Sequence, residues 1–214
     1  MIQQSRPFIY HSSDPTNMIE YYYSVSKTSS RPLFSLDFFP CLLKIYSDEL
    51  FLPQLTEAFR NNEKLIWIVE TLFNVNANYP PYEAFLSYEG LIRFAKTGEL
   101  CQSCRHILKP FSKEQRKIIL EKVANYCTEG SYHLHILPKN YFRNLPEINL
   151  EIFSDHRVTM FSMSQENLFS FFYLKENSIY DSFYDYFESL LENPDVSSLK
   201  ETTAILKEII KKYL

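Results

Sequence analysis

The spacing of apolar residues changes period several times along this chain, and each change marks an element. Behind Asp14-Pro15, an N-cap with proline at the first helical position, Met18, Ile19, Tyr22 and Val25 recur at helical spacing up to the Ser29-Ser30 break. Leu33 to Phe39 then reads as a short buried strand closed by Pro40, with Asp37 at its C-terminal end. From Leu42 to Phe73 the period is helical again. Interruptions at Pro53 and Asn61-Asn62 divide it into two or three helices, the last with a stripe at Leu65, Ile68, Val69 and Leu72. Tyr82 to Leu86 predicts another strand. Ser87 caps the helix that carries Leu91, Ile92 and Ala95, and Gly98 supplies its left-handed stop. Ser112-Lys113-Glu114-Gln115 is a capping box, opening a helix with Ile119, Val123 and Tyr126 on one face and Gly130 at its end.

Beyond Gly130 the runs shorten and become rich in aromatic and β-branched residues. Tyr132 to Leu137, Leu150 to Phe153, Val158 to Met163 and Leu168 to Leu174 predict four strands joined by polar turns such as Ser154-Asp155-His156-Arg157. Ser178 with Asp181 opens an amphipathic helix burying Ile179, Phe183, Phe187 and Leu190. Ser198 with Glu201 opens a last helix burying Leu199, Leu206, Ile209, Ile210 and Tyr213. The expectation is a single domain over residues 1–214, helix-rich over 1–130 and sheet plus two helices over 131–214. Its class is α/β (α+β), a small, mainly antiparallel sheet packed by about seven helices.

Composition narrows what such a domain can do. Aromatic residues make up 16% of the chain, far too much apolar surface for a disordered segment. Glycine occurs only 3 times in 214 residues, which excludes glycine-rich phosphate loops and with them Rossmann and P-loop chemistry. The same scarcity excludes a Gly-x-Ser-x-Gly nucleophile elbow. The net charge of −4 gives no general attraction for a phosphate backbone; Arg105 to Lys122, with six basic against two acidic residues, is the one basic concentration. Apolar runs are all far shorter than the roughly 18 residues of a membrane span. Four cysteines without a scaffold-like spacing, and no secretory leader, point to a reducing cytoplasmic setting.

Candidate chemistry is sparse. His133 and His135 alternate on a predicted strand, so their rings share one face, where they could line a ligand pocket or serve a phosphate-ester-acting enzyme together with Asp37. No carboxylate stands near them in sequence, and the lysine two residues after a histidine that a phospholipase D-like site needs is missing. Asp37 ends an apolar strand, where α/β proteins place ligand-facing carboxylates, and the same position suits capping of a helix starting at Pro40. Cys101 and Cys104 have the spacing of half a tetrahedral zinc site, with His106 close behind and Cys127 elsewhere, which would make a zinc-stabilised adaptor. No second pair completes it, so neither metal nor cofactor is predicted. On the penultimate helix Tyr180, Tyr184 and Tyr186 with Asp181, Asp185 and Glu188 form an aromatic, acidic side; Tyr180, Tyr184 and neighbouring Phe187 are the predicted interface.

Four stretches together carry a family resemblance. Arg31 to Pro40 (RPLFSLDFFP), Tyr88 to Leu100 (YEGLIRFAKTGEL), Pro110 to Leu120 (PFSKEQRKIIL) and Ile179 to Leu191 (IYDSFYDYFESLL), followed by Lys200-Glu201-Thr202, resemble in order the C-terminal region of Xre-type helix-turn-helix transcriptional regulators of Clostridia-like bacteria. The resemblance implies a sensory or interaction domain with no catalytic residues to transfer. It departs at the start, because Met1 to Ser13 with Pro7 leave no room for the DNA-binding helices. The combined expectation is a non-enzymatic, ligand-sensing or dimerising domain of a bacterial regulator. Asp37, His133 and His135 would meet a small-molecule or protein effector, a homodimer would form, and DNA would be reached only through a domain not present in this chain.

Overall fold

A computed structural model describes residues 8–12, 15–26, 30–38, 48–77, 80–100, 107–142, 148–163 and 169–214. Its strands are β1 (Phe8–Ser12), β2 (Pro32–Asp37), β3 (Glu83–Ser87), β4 (His133–Leu137), β5 (Ile148–Phe153), β6 (Arg157–Met163) and β7 (Phe169–Leu174). The helices are α1 (Pro15–Ser26), α2 (Asp48–Phe51), α3 (Glu57–Arg60), α4 (Glu63–Ala77), α5 (Tyr88–Thr97), α6 (Lys113–Glu129), α7 (Asn177–Glu192) and α8 (Leu199–Tyr213).

All the strands join one seven-stranded sheet in the order β1-β7-β6-β5-β2-β3-β4. This corrects the expected small, mainly antiparallel sheet of the last third. The sheet is mixed: β2, β3 and β4 run parallel, while β2-β5-β6-β7-β1 run antiparallel. The physical reason lies in the connections, since β2 reaches β3 and β3 reaches β4 only through helices, and a helical crossover returns the chain in the same direction. Strand β1 lies outside the predicted strands; it pairs along β7, Phe8 opposite Tyr173 through Ser12 opposite Phe169. The helix number is corrected too. Among the described residues six helices have ten residues or more, and α2 and α3 are single turns.

Several element ends follow local chemistry as anticipated. The Ser87 side chain accepts from the Gly90 amide at 3.1 Å, and capping boxes start α6 at Ser112 and α8 at Ser198. Gly98 ends α5 at φ +76, and a β-carbon there would run into the Phe111 backbone, so glycine is required both for conformation and for space. Helix α7 departs from expectation: its cap is the Glu176 carboxylate, which accepts from the Ser178 and Ile179 amides at 3.2 and 3.0 Å, in place of Ser178 with Asp181. The expected Asp14 cap and the helix starting at Pro40 fall outside the described residues.

The sheet separates two cores. Helices α5, α6 and α8 cover Ala84, Leu86, Leu134 and Ile136 on the first face, with Phe94, Leu120, Val123 and Leu206 buried among them. Helix α7 covers the second face, where Phe34, Leu36, Phe85, Leu150, Ile152 and Val158 meet Phe187 and Leu190. Side chains alternate across a strand, so register alone assigns every strand residue to one face or the other.

Candidate functional site

Asp37 and the two histidines, predicted to serve one ligand, stand on opposite faces. Asp37 pairs with Leu86 of β3, whereas His133 pairs with Glu83 and His135 with Phe85, positions of the other parity. A phosphate-ester site built from all three is therefore not assembled.

On the first face, β2, β5 and β6 present a contiguous polar row. Ser35 lies opposite Glu151, Asp37 opposite Asn149 and Glu151 opposite Thr159. The Ser35 hydroxyl donates to Asp37 Oδ2 at 3.2 Å and the Thr159 hydroxyl to Glu151 Oε2 at 3.3 Å. Ser35 and Thr159 are buried, while Asp37, Asn149 and Glu151 keep part of their surface accessible. Burial, reinforced by the charge of Glu151, holds the Asp37 carboxyl well above its usual range despite the bond from Ser35. Two half-buried carboxyls on adjacent strands are costly to ionise together. Farther along this face Arg157 is fully buried, its guanidinium 4.0 Å from the centre of the Phe153 ring, with Nη2 donating to the Ser30 hydroxyl.

On the second face, Glu83 joins the histidines. Its Oε1 lies 2.8 Å from His133 Nδ1 and its Oε2 2.8 Å from His135 Nε2. The other nitrogen of His135, Nδ1, lies 2.8 Å from the Ser197 carbonyl, and the ring stacks on Phe85 at 5.2 Å. Burial opposes charge on Glu83, but the bonds and charges of the two histidines outweigh it and hold the carboxyl below its usual range. Sequence reasoning missed Glu83 because it is 50 residues from His133, and only parallel pairing of β3 with β4 brings it alongside. A Glu at the mouth of an apolar strand, aligned with a histidine at the mouth of the next, is the one signal that could have found it.

Other predicted sites resolve differently. Phe187 is completely buried and Tyr180 nearly so, which corrects their assignment to an interface: the ring-bearing side of α7 is its inward side. Phe187 stacks on Phe34 at 5.1 Å, Tyr184 meets Phe34 edge-on, and Tyr180 stacks on His156 at 4.6 Å. The side of α7 that faces away carries Asp181, Asp185, Glu188 and Leu191 among its exposed residues. Cys101, Cys104 and His106 lie outside the described residues. Cys127 is on the buried side of α6, and desolvation pushes its thiol up to about 11 despite a bond from the Leu134 backbone. Among the described residues no three His, Cys, Asp or Glu side chains could hold a metal ion; Glu83 stands between the histidines and commits one oxygen to each. Among those residues, too, no helix is long and apolar enough to cross a membrane.

Comparison with known proteins adds little to this geometry. No family model matches the chain, and no curated protein does. Among solved structures it is similar to TrmBL2, described as an archaeal chromatin protein with a novel mode of DNA binding, at 13% identity and a TM-score of 0.43. The likeness covers 90% of this chain and 54% of that one, so this chain spans about half the length of the protein it matches. It transfers no residue's role.

Proposed function

We propose that this chain is a regulatory domain that binds a small, hydrogen-bond-donating molecule on the polar row of the first sheet face, and that it has no catalytic turnover. The observation that supports this reading is the polar row in which the charge of Glu151 acts on Asp37 from the neighbouring strand, with Ser35, Asn149 and Thr159 beside them. Those groups are mostly acceptors, and they suit an amine or a hydroxyl-rich ligand. Hydrogen-bond donors on the ligand would let both carboxylates ionise without repulsion, so binding and ionisation favour each other. The setting in a bacterial transcriptional regulator, with DNA contacted by a helix-turn-helix outside these residues, remains part of the proposal through the sequence resemblance to Xre-type regulators. So does cytoplasmic residence.

The test is thermal unfolding of the purified chain against a panel of polyamines, amino acids and sugars. A ligand present at about one hundred times its Kd adds about 2.7 kcal/mol, enough to raise Tm by several degrees. Asp37→Asn and Glu151→Gln should abolish that shift while the proteins stay folded. A shift that survives in both variants would overturn the assignment to this face, and no shift from any panel member would count against the ligand class. Hydrolysis of phosphate esters, lost in His133→Ala with His135→Ala, would overturn the non-enzymatic reading.

Dimerisation belongs to the same proposal but moves off the rings of α7. Large apolar side chains are exposed at Trp67 of α4 and Leu191 of α7, and these are the surfaces a second copy would cover. Sedimentation velocity over a wide concentration range checks this; a monomer throughout removes it.

A further inference from the structure

Strand β4 ends the sheet, and an edge strand rich in apolar residues is a hazard unless something covers it. The junction between α7 and α8 does so. The Ser197 amide donates to the Ile136 carbonyl at 3.1 Å, and the Ile136 amide donates to the Ser197 hydroxyl oxygen at 2.6 Å, so a single residue satisfies both outward groups of Ile136. The same hydroxyl meets Thr202 in the first turn of α8. The third tie is His135, whose Nδ1 bonds the Ser197 carbonyl.

That third tie fixes the proton count. A carbonyl only accepts, so Nδ1 must carry hydrogen. The opposite nitrogen faces Glu83 Oε2 at 2.8 Å, and a carboxylate also only accepts, so Nε2 must carry hydrogen as well. A neutral imidazole has one N–H and cannot serve both partners. Among the described residues, Glu83 from β3 and His133 on β4 are the titratable groups that meet this cluster. Phe85 beneath the ring, Phe187 of α7 against Phe85, and Ser197 and Thr202 from the α8 side carry no charge.

We propose that His135 is a proton-gated latch: as imidazolium it clamps the α7–α8 junction across the edge of β4, and on losing one proton it keeps its remaining N–H on the Glu83 carboxylate, the stronger acceptor, and releases the Ser197 carbonyl. Histidine is the side chain that changes charge in the physiological range, so the latch loosens as pH rises across that range. Release of Ser197 uncovers the Ile136 backbone and frees the junction to move while α8 stays packed on α6. This inference is independent of any ligand on the other face.

The experiment is native-state hydrogen exchange of the Ile136 and Ser197 amides over that pH range, with rates corrected for the intrinsic pH dependence of exchange. Loss of one charge-assisted hydrogen bond should lower their protection about tenfold toward high pH, with amides inside α6 unaffected. In His135→Gln the protection should be flat with pH. A flat profile in the unmodified protein, or an equal drop in His135→Gln, would overturn the latch. Should His135→Gln fail to fold, Glu83→Gln serves instead: without the carboxylate the imidazolium is less favoured, so the drop should move to lower pH, and an unmoved profile would overturn the proposal equally.

Discussion

The two faces of β2, β5 and β6 are built from alternate residues of the same short strands, yet they follow opposite rules. Phe34, Leu36, Leu150, Ile152 and Val158 point to one side and are buried against α7. Ser35, Asp37, Asn149, Glu151 and Thr159 point to the other and form a polar row. The α7-covered face gains its free energy from removing apolar area from water, at about 25 cal/mol per Å². The polar face keeps carboxyls where desolvation and mutual repulsion raise the cost of ionisation, as the elevated Asp37 shows. The contrast teaches that one face holds the sheet together while the other is free to specialise, and single substitutions can sharpen or break that division.

The largest effect should come from the apolar face. Phe187→Ala removes a fully buried ring that stacks on Phe34 and tilts against Phe85, and should cost about 3–5 kcal/mol, read from urea unfolding. A cost below that of an ordinary surface change would mean that α7 is not the lid of this core.

Next comes Glu83→Gln at the margin of the same face. Glu83 is held below the usual carboxylate range, so the native state binds its proton more weakly than the unfolded chain does. The stability it supplies is fully present above the unfolded pKa and is lost as pH falls through the lower, folded value. The variant should lose about 1.5–3 kcal/mol at neutral pH, the usual worth of hydrogen bonds to a charged group, and show a flatter acid limb in pH-dependent unfolding.

Asp37→Asn should act in the other direction. The folded carboxyl is raised, so the native state binds the proton more tightly, and the wild-type protein is penalised as pH climbs past the unfolded pKa toward the folded one. Replacing the carboxyl with a neutral amide removes that penalty and should raise Tm at neutral pH by about 2–4 °C. A fall in Tm would show that the polar row is a structural network and not a site held at some cost.

The smallest expected change is local. Ser112→Ala removes the side-chain half of the α6 capping box and should cost about 1 kcal/mol without altering either face.

How much of this was legible beforehand varies with the range of the interaction that decides it. Ser87, Gly98, Ser112, Gly130 and Ser198 act on amides and carbonyls within a few residues, and each stands at the helix end its chemistry predicted. Glu176 escaped because glutamate is an uncommon N-cap and Ser178 offered a more usual one two residues later. The Glu83–His133–His135 cluster escaped for a different reason: the strand pairing that makes it joins residues far apart in sequence. Phe187 and Tyr180 escaped because 16 tyrosines and 18 phenylalanines make core and surface rings look alike until a sheet is laid against the helix.

By itself the sequence determined where most helices begin and stop, every strand but β1, and that Rossmann and P-loop chemistry are excluded, because periodicity, caps and glycine supply are local quantities. Only the tertiary structure decided that the strands form one mixed sheet, that Asp37 and the histidines part to opposite faces, and that Glu83 and Ser197 close on His135. Register along a strand reverses the facing of every side chain when it slips by one residue, and register is set by partners that the sequence does not place side by side.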